Sequence, residues 1–202
     1  MAQLLSEFVQ DVRARGPYTA AQNVAEDAVL RTAIDLCERA GVWQYKYQFT
    51  TQYNVPDYPI YTPENSRVVC LTHVQIGSRK FKPSVASLVC SCGSWGVSVP
   101  DNKTVMIHPA PMSPDGEYVE LSLWLAPLLG ACVLPDVLWQ EYSDTIAIGA
   151  ASRLLQMPKQ DYTNQGLASR MYTMYEAGVT RAKNKRVLER TQGPLMMRGS
   201  FF

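Results

Sequence analysis

The sequence has 202 residues, of which 47% are hydrophobic and 18% are charged, and this composition excludes a chain that is disordered throughout. The 19 Lys and Arg residues almost balance the 18 Asp and Glu residues, and the formal net charge of +1 excludes a global attraction to nucleic acid or to a membrane surface. The length and composition predict one globular domain, or one domain that carries a large insertion.

Three features of the sequence bear on where the protein resides. The N-terminal residues include Glu7 and Asp11 and lack the basic and apolar segments of a signal peptide, so we expect no secretion. The most apolar run, from Leu123 to Leu134, is shorter than the roughly 20 residues of a membrane span and contains Pro127, so we expect no transmembrane helix. The five cysteines are an odd number, which argues against a disulfide scaffold and predicts reduced thiols.

The first forty residues have a helical pattern. Apolar residues at helical spacing from Leu4 to Val12 predict a short helix that stops at Gly16. A longer helix follows, with Thr19 as its predicted N-cap and Gly41 as its C-terminal glycine. The longer helix carries two apolar stripes that are rotated about its axis, which indicates two neighbours. The stripes consist of Ala21, Val24, Ala25 and Ala28, and of Leu30, Ala33, Ile34, Cys37 and Ala40.

The following region has the two-residue period of β-strands. Four aromatic residues alternate with polar ones from Trp43 to Phe49, which predicts a strand with its rings on one face. Nine prolines between residues 56 and 127 are expected to keep strands short or at sheet edges. The pattern favours a small antiparallel sheet or sandwich. Further predicted strands cover residues 66–76, 79–82, 104–107 and 118–125, with a turn at Gly77 and Ser78.

The helical period returns after the β region. Asp136 is the predicted cap of a helix that runs to about Met157. Its middle is apolar on all sides and consists mostly of small residues, which predicts a central, closely packed helix. Gly149 costs about 1 kcal/mol of helix propensity there, and we expect a neighbouring backbone to approach it closely. A last helix is predicted from about residue 162 to 190.

These elements predict an α+β fold. An antiparallel bundle of about four helices is expected from residues 1–42 and 136–190, and a small antiparallel β-sheet or sandwich is inserted over residues 43–135. An extended C-terminal tail is expected over residues 191–202.

The sequence holds few residues that are suited to nucleophilic catalysis or to metal binding. The two histidines, His73 and His108, lie on predicted strands, where a hydrogen-bonded structural role is favoured over a catalytic triad. Cys90 and Cys92 could form a zinc site with Cys70 or a histidine, but a C-x-C pair lacks the usual spacing of such sites. No phosphate-binding loop and no G-x-G-x-x-G fingerprint is present in the sequence. We expect no enzymatic activity, no metal and no cofactor.

Acidic residues on the predicted helices are the alternative candidates for catalysis. Two carboxylates that face each other across a cleft would suit acid–base chemistry on a glycan. Solvated helix faces and caps explain these acids more simply. The candidates are Glu26, Asp27, Asp136, Glu141 and Asp144.

The C-terminal part of the chain is the one marked charge asymmetry in the sequence. Six cations and one acid, Glu189, give a local net charge of +5. These cations either complement the dipole of a helix C-terminus or dock on an acidic partner or on DNA phosphates. Apolar residues follow, and they either fold back on the domain or anchor the chain to another subunit. The cations are Arg181, Lys183, Lys185, Arg186, Arg190 and Arg198, and the apolar residues are Leu195, Met196, Met197, Phe201 and Phe202.

The order of several short motifs resembles that of one protein family. The motifs are a helix that leads into an aromatic strand, Leu36-Cys-Glu-Arg-Ala-Gly-Val-Trp43; a strand with a hairpin, Val68 to Phe81; a proline pair, Ile107-His-Pro-Ala-Pro111; a strand that ends at Ala126-Pro127; and the helix Ile146-Ala-Ile-Gly-Ala-Ala-Ser-Arg-Leu-Leu155, closed by Met157-Pro158. Across almost its whole length, the chain resembles the tail adaptor, or head-to-tail connector, proteins of tailed bacteriophages. It is most similar to the tail tubular protein A type of short-tailed phages.

The resemblance implies a structural virion protein that is located at the head–tail interface, and in the host cytoplasm during assembly. Such proteins form a dodecameric ring under the portal protein, with a lumen for double-stranded DNA and a lower surface for the tail nozzle or tail tube. No sequence-specific DNA contact and no membrane is implied. The C-terminal segment of such adaptors tends to reach the portal, which here makes the eleven cationic and apolar residues named above, from Arg181 to Phe202, the candidate portal-binding residues. The hairpin residues Gly77, Ser78, Arg79 and Lys80 are the candidate nozzle-facing residues.

Two other functions are kept as alternatives. Some phage connectors double as peptidoglycan hydrolases, and Glu26 or Glu141 would be the acid in that case. The basic C-terminal helix could also be a DNA-binding module, whose affinity for duplex DNA would fall steeply with salt.

Overall fold

A computed structural model of the chain describes residues 2–81, 89–92 and 95–191. The described residues form four α-helices and ten β-strands, and every strand pair is antiparallel. The predicted α+β class is therefore confirmed. The helices are α1 (Leu5–Arg13), α2 (Gln22–Ala40), α3 (Asp136–Leu155) and α4 (Gln165–Thr191). The strands are β1 (Ala2–Leu4), β2 (Gln44–Thr50), β3 (Asp57–Pro59), β4 (Ser66–Ile76), β5 (Arg79–Phe81), β6 (Val89–Cys92), β7 (Trp95–Ser98), β8 (Thr104–His108), β9 (Tyr118–Pro127) and β10 (Val133–Pro135).

The four helices share one hydrophobic core, which we call the α core. Helix α3 lies at its centre, because it packs against α1, α2 and α4 and is buried continuously from Ile146 to Ser152. The central position that the sequence predicts for this helix is thus confirmed. Helix α2 packs against α1, α3, α4 and β9. Both predicted stripes of α2 are largely buried within the chain, although Ala21 is exposed.

Two four-stranded sheets share a second core, which we call the β core. One sheet has the strand order β2-β9-β4-β5, and the other has the order β3-β8-β7-β6. Buried aliphatic residues of both sheets belong to this core, among them Leu71 and Leu123 of the first sheet and Ile107 of the second. The rings of the predicted aromatic strand, from Trp43 to Phe49, pack against it from the edge strand β2. A small third sheet joins β1 to β10.

Strand β9 belongs to both cores. Leu121, Leu123 and Leu125 point into the β core, while Ala126 belongs to the α core and β9 packs against α2. Alternation of side chains across a strand explains how one strand serves two faces. Its last five residues are all buried, so the first part of the apolar run, Leu123 to Pro127, is a strand covered on both sides.

Two predicted helix caps are wrong. Helix α2 begins at Gln22 after the N-cap Ala21, because Pro17 to Ala20 form a separate hydrogen-bonded turn that includes Thr19. Helix α3 has Pro135 as its N-cap, and Asp136 is its first helical residue. The Asp136 carboxylate accepts a hydrogen bond from the Gln140 side chain one turn later, at 2.7 Å, instead of capping backbone amides. The φ of +61° at Gly41 confirms the predicted C-terminal glycine of α2.

The surroundings of Gly149 also differ from the prediction. A Cβ atom at this position would lie 2.6 Å from Thr32 Cγ2 and 2.7 Å from Tyr175 Cδ2. The close neighbours are therefore side chains of α2 and α4, and not a backbone. The glycine allows three helices to meet at the centre of the α core.

Candidate assembly surfaces

The basic residues of α4 fall into two groups in the structure. Arg181 is exposed and Lys183 is half-buried, and neither has an ion pair within the described part of the chain. Lys185 and Arg186, in contrast, contact their own chain. Lys185 Nζ lies 2.6 Å from Glu141 Oε2 on α3. The charge that α4 can offer to a partner is therefore smaller than the sequence suggests.

Arg186 ties the C-terminal half of α4 to α2 and β9. Its guanidinium lies 4.0 Å from the centre of the Trp124 ring, at a distance typical of a cation–π contact. Its Nη1 donates a hydrogen bond of 2.8 Å to the carbonyl oxygen of Ala40, at the end of α2. Gly41 leaves the space for this contact, since a Cβ atom there would lie 2.5 Å from Arg186 Nη1 and 2.6 Å from the Trp124 ring. Arg186 is therefore part of the fold, and its role in portal binding is still a prediction.

Several of the predicted portal-binding residues lie outside what the structure describes. The side chain of Arg190 is one of them. The others are Leu195, Met196, Met197, Arg198, Phe201 and Phe202, so the tail over residues 191–202 is an expectation for all but Thr191, the last residue of α4.

The predicted hairpin joins β4 to β5. Gly77 has a φ of +55°, in the left-handed region that favours glycine, and its amide donates a 2.8 Å hydrogen bond to the carbonyl of Tyr118 on β9. Ser78, Arg79 and Lys80 are exposed. The turn is thus confirmed and accessible, and its contact with a nozzle is a prediction.

The five candidate acids form contacts on the helices that carry them or with a neighbouring helix. The Glu141 carboxylate pairs with Lys185 and lines a cavity of about 310 Å³, where it is the one carboxylate among the described lining residues. Glycoside hydrolysis normally requires two facing carboxyl groups. The remaining contacts are Glu26 with Gln22, Asp27 with Arg31, Asp136 with Gln140, and Asp144 with Arg15.

The candidate metal ligands are distributed over three strands, with Cys70 and His73 together on β4. His73 is on β4 and His108 on β8, as predicted, while the side chains of Cys90 and Cys92 on β6 lie outside the described part of the chain. Among the described residues, no group of three or more His, Cys, Asp and Glu side chains could hold a metal ion. Burial raises the pKa of the Cys37 thiol, which is a property of an unreactive core cysteine.

A charged network between α2 and α4 is a feature that the sequence analysis missed. Arg39 donates two hydrogen bonds to the Glu176 carboxylate, at 2.7 and 2.5 Å, and one to Asp35, at 3.2 Å. The Tyr175 hydroxyl donates to Asp35 at 2.6 Å. Hydrogen bonding to Arg39 lowers the pKa of Glu176, while burial and the Asp35 carboxylate raise the pKa of Tyr175. Spacing indicates the Asp35–Arg39 pair on one helix, but no sequence signal connects it to Glu176.

This network predicts a dependence of stability on pH. Because the pKa of Glu176 is lower in the folded protein than its ordinary value of 4.5, its stabilisation is present above that pH and is lost as the pH falls through the folded value. A Glu176→Gln variant should lose about 0.5–1 kcal/mol of unfolding free energy at pH 7, and about nothing at pH 2.5. Urea unfolding at both pH values measures this. Asp27→Asn, which breaks the more exposed Asp27–Arg31 pair, is the matched control and should lose less at pH 7. A Glu176→Gln loss that is the same at both pH values would contradict the prediction.

None of the described helices combines the length and the apolar character that crossing a membrane requires. The chain was compared with protein-family models and with curated proteins, and neither comparison finds a match.

Proposed function

We propose that the protein is a structural virion protein without enzymatic activity, a head-to-tail adaptor that forms a ring between the portal and the tail nozzle. The order of the elements is the observation that carries this proposal. Helices at both ends of the chain share the α core, and the two four-stranded sheets between them share the β core. The resemblance to tail adaptors rests on this same order of elements along the chain.

The proposed roles follow the two ends of this arrangement. The cationic end of α4 and residues 191–202 would bind the portal. The exposed hairpin at Gly77 to Lys80 would face the nozzle, and the lumen of the ring would pass double-stranded DNA without sequence-specific contacts. Copies would meet head to tail, because one patch bound to a different patch generates a closed ring when the rotation closes.

One sequence-based reason for a ring does not hold in the structure. Two apolar stripes on α2 could indicate neighbours in other subunits, but the chain's own helices and β9 bury most of both stripes. Within the described part of the chain, contacts between subunits of the ring would therefore use exposed surfaces and not the stripes of α2.

The alternative functions have less support from the geometry. A peptidoglycan hydrolase needs a second carboxyl group beside its acid. Glu26 and Glu141 are instead bonded to Gln22 and Lys185. A duplex-binding module is weakened by the two C-terminal cations, Lys185 and Arg186, that contact their own chain. Zymography on cell walls, and duplex binding measured over a range of salt concentrations, test these alternatives directly.

Two matched variants test the proposed function. Deletion of residues 191–202 should abolish binding of the purified protein to portal-bearing heads, measured by co-sedimentation, because these residues would supply the portal anchor. The double variant Arg79→Glu/Lys80→Glu should still bind heads but should fail to recruit the nozzle. Head binding that survives the deletion would refute the portal role of the tail, and nozzle recruitment by the charge-reversed hairpin would refute its placement.

A further inference from the structure

Helices α1 and α4 lie on different sides of the central helix α3. On one side, Glu141, Thr145 and Gly149 approach Lys185, Gly178 and Tyr175 of α4. Spaced four residues apart, these three form one face of α3. On another side, Trp139 packs edge-on against Phe8 of α1 with ring centres 4.8 Å apart, and Asp144 pairs with Arg15 just beyond α1. The outward faces of α1 and α4 are therefore two separate surfaces of the molecule.

The outward face of α1 is acidic. Its exposed residues include Glu7, Gln10 and Asp11, which we call the α1 surface. Glu7 and Asp11 are four residues apart and so are neighbours on the helix. Neither forms an ion pair within the described part of the chain. The surface thus carries two adjacent carboxylates that form no ion pair within the described part of the chain. Arg15 donates a hydrogen bond to the Asp11 carbonyl oxygen, but its ion pair is with Asp144.

The outward face of α4 has the opposite charge. Arg170, Met174, Ala177 and Arg181 follow one another at helical spacing and are all exposed, and we call them the α4 surface. Neither arginine has an ion pair among the described residues. Met174, with 47% of its surface exposed, and Ala177 form an apolar centre between the two arginines. A polar rim around an apolar centre is typical of protein–protein contacts.

We propose that the α1 surface of one copy binds the α4 surface of the next copy. The two surfaces belong to one chain, lie on different sides of it and carry opposite charges, so each copy can use both at once. Opposite charge also disfavours α1–α1 and α4–α4 contacts, which fixes the head-to-tail order. The inference rests on the proposed ring and assigns its subunit contact.

Another copy fits the α4 surface better than duplex DNA does. The affinity of a protein surface for DNA increases with the number of cations that contact phosphates, because each contact releases a counterion from the DNA. On the α4 surface, Arg170 and Arg181 are about 16 Å apart along the helix and the apolar centre lies between them. The acidic α1 surface, furthermore, would repel DNA. Its charge is complementary to that of the α4 surface, which every other copy of the chain presents.

Disulfide cross-linking tests this contact. In a chain with Cys90, Cys92 and Cys132 replaced by serine, Gln10→Cys and Ala177→Cys are introduced together, and the protein is oxidised both free in solution and bound to portal-bearing heads. We expect a ladder of linked dimers, trimers and larger species, because each copy carries one thiol on each surface. Gln10→Cys with Lys103→Cys, an exposed residue in the turn before β8, is the control and should give no ladder.

Charge reversal separates a specific contact from random collision. Arg170→Glu/Arg181→Glu and Glu7→Arg/Asp11→Arg should each lower the ladder yield about tenfold, which corresponds to roughly 1.4 kcal/mol, and the four changes together should restore it. The inference is overturned if no ladder forms either in solution or on heads. It is also overturned if both charge reversals leave the ladder yield unchanged. If the ladder fails while copies bound to heads still form a ring by negative-stain microscopy, the assigned contact is wrong and the proposed function stands. If the ladder and its rescue appear but the Gln10→Cys/Ala177→Cys chain, in which the proposed portal-binding residue Arg181 is intact, does not bind heads, the contact stands and the adaptor function is wrong.

Discussion

Replacing Gly149 by alanine should destabilise the protein, although alanine is the better helix former. Helix propensity alone would favour the change by about 1 kcal/mol. The new Cβ atom, however, would overlap Thr32 and Tyr175, which are 0% and 3% exposed and have little room to move. The Tyr175 ring is further held by its hydrogen bond to Asp35. Overpacking costs about 1–3 kcal/mol, and overlap with two buried side chains places this change at the upper end, about 2–3 kcal/mol. After the propensity gain of about 1 kcal/mol, we expect a net loss of about 1–2 kcal/mol and a fall in Tm of about 2–8 °C.

Gly166 supplies the matched control for this prediction. It lies in the first turn of α4, and the nearest atom to a Cβ there is Asn164 Oδ1, at an ordinary contact distance of 3.7 Å. Gly166→Ala should therefore be neutral or slightly stabilising. Thermal unfolding of both variants decides the matter, and a Gly149→Ala protein that melts at or above the temperature of the parent would show that the three helices do not meet as closely as described.

Gly41→Ala should be more damaging, because two costs add at one position. The φ of +61° places this residue in the left-handed region, which costs a non-glycine residue about 1–2 kcal/mol. The Cβ atom would also collide with the ring of Trp124, which is 7% exposed, and with Arg186 Nη1. The arginine can move aside, but the buried ring cannot. We expect a loss of about 2–4 kcal/mol of unfolding free energy in urea titrations.

A second glycine separates the two costs. Gly77 has a similar φ of +55°, but a Cβ atom there meets nothing closer than Glu117 Oε2, at 3.5 Å. Gly77→Ala should therefore show the backbone cost alone, about 1–2 kcal/mol. Equal losses in the two variants would mean that Gly41 is needed for its conformation only, and that the junction of Arg186 and Trp124 tolerates an added methyl group.

The long periodic segments of the chain could be predicted from sequence. The helical period marked all four helices, and the strict alternation from Trp43 to Phe49 marked the strand β2, because these patterns follow from burial of one face. The short strands β1, β3, β6, β7 and β10 were missed. Three or four residues are too few to show a period, and their pairing depends on backbone partners far along the chain, as for Ala2 with Pro135.

The contacts of the candidate surfaces were harder to predict than the elements that carry them. A run of basic residues indicates charge, but not that Arg186 lies on Trp124, 62 positions away in the chain, while Arg181 is exposed. The contact of Arg39 with Glu176 could not be predicted for the same reason, because the packing of α2 against α4 determines which of their side chains meet. The predicted caps Thr19 and Asp136 failed for a local reason. The N-cap of α2 lies two residues after Thr19, at Ala21, and the N-cap of α3 lies one residue before Asp136, at Pro135.

The double burial of β9 has a mechanical consequence. A strand that is clamped by aliphatic side chains on one face and by α2 on the other cannot slide or tilt without disturbing both halves of the molecule. The basic end of α4 is joined to this strand at Trp124, and the hairpin is joined to it at Tyr118. The basic end of α4 and the hairpin are therefore held at a fixed distance from each other. We expect the subunit to be rigid between them, so that a force applied at one is transmitted to the other.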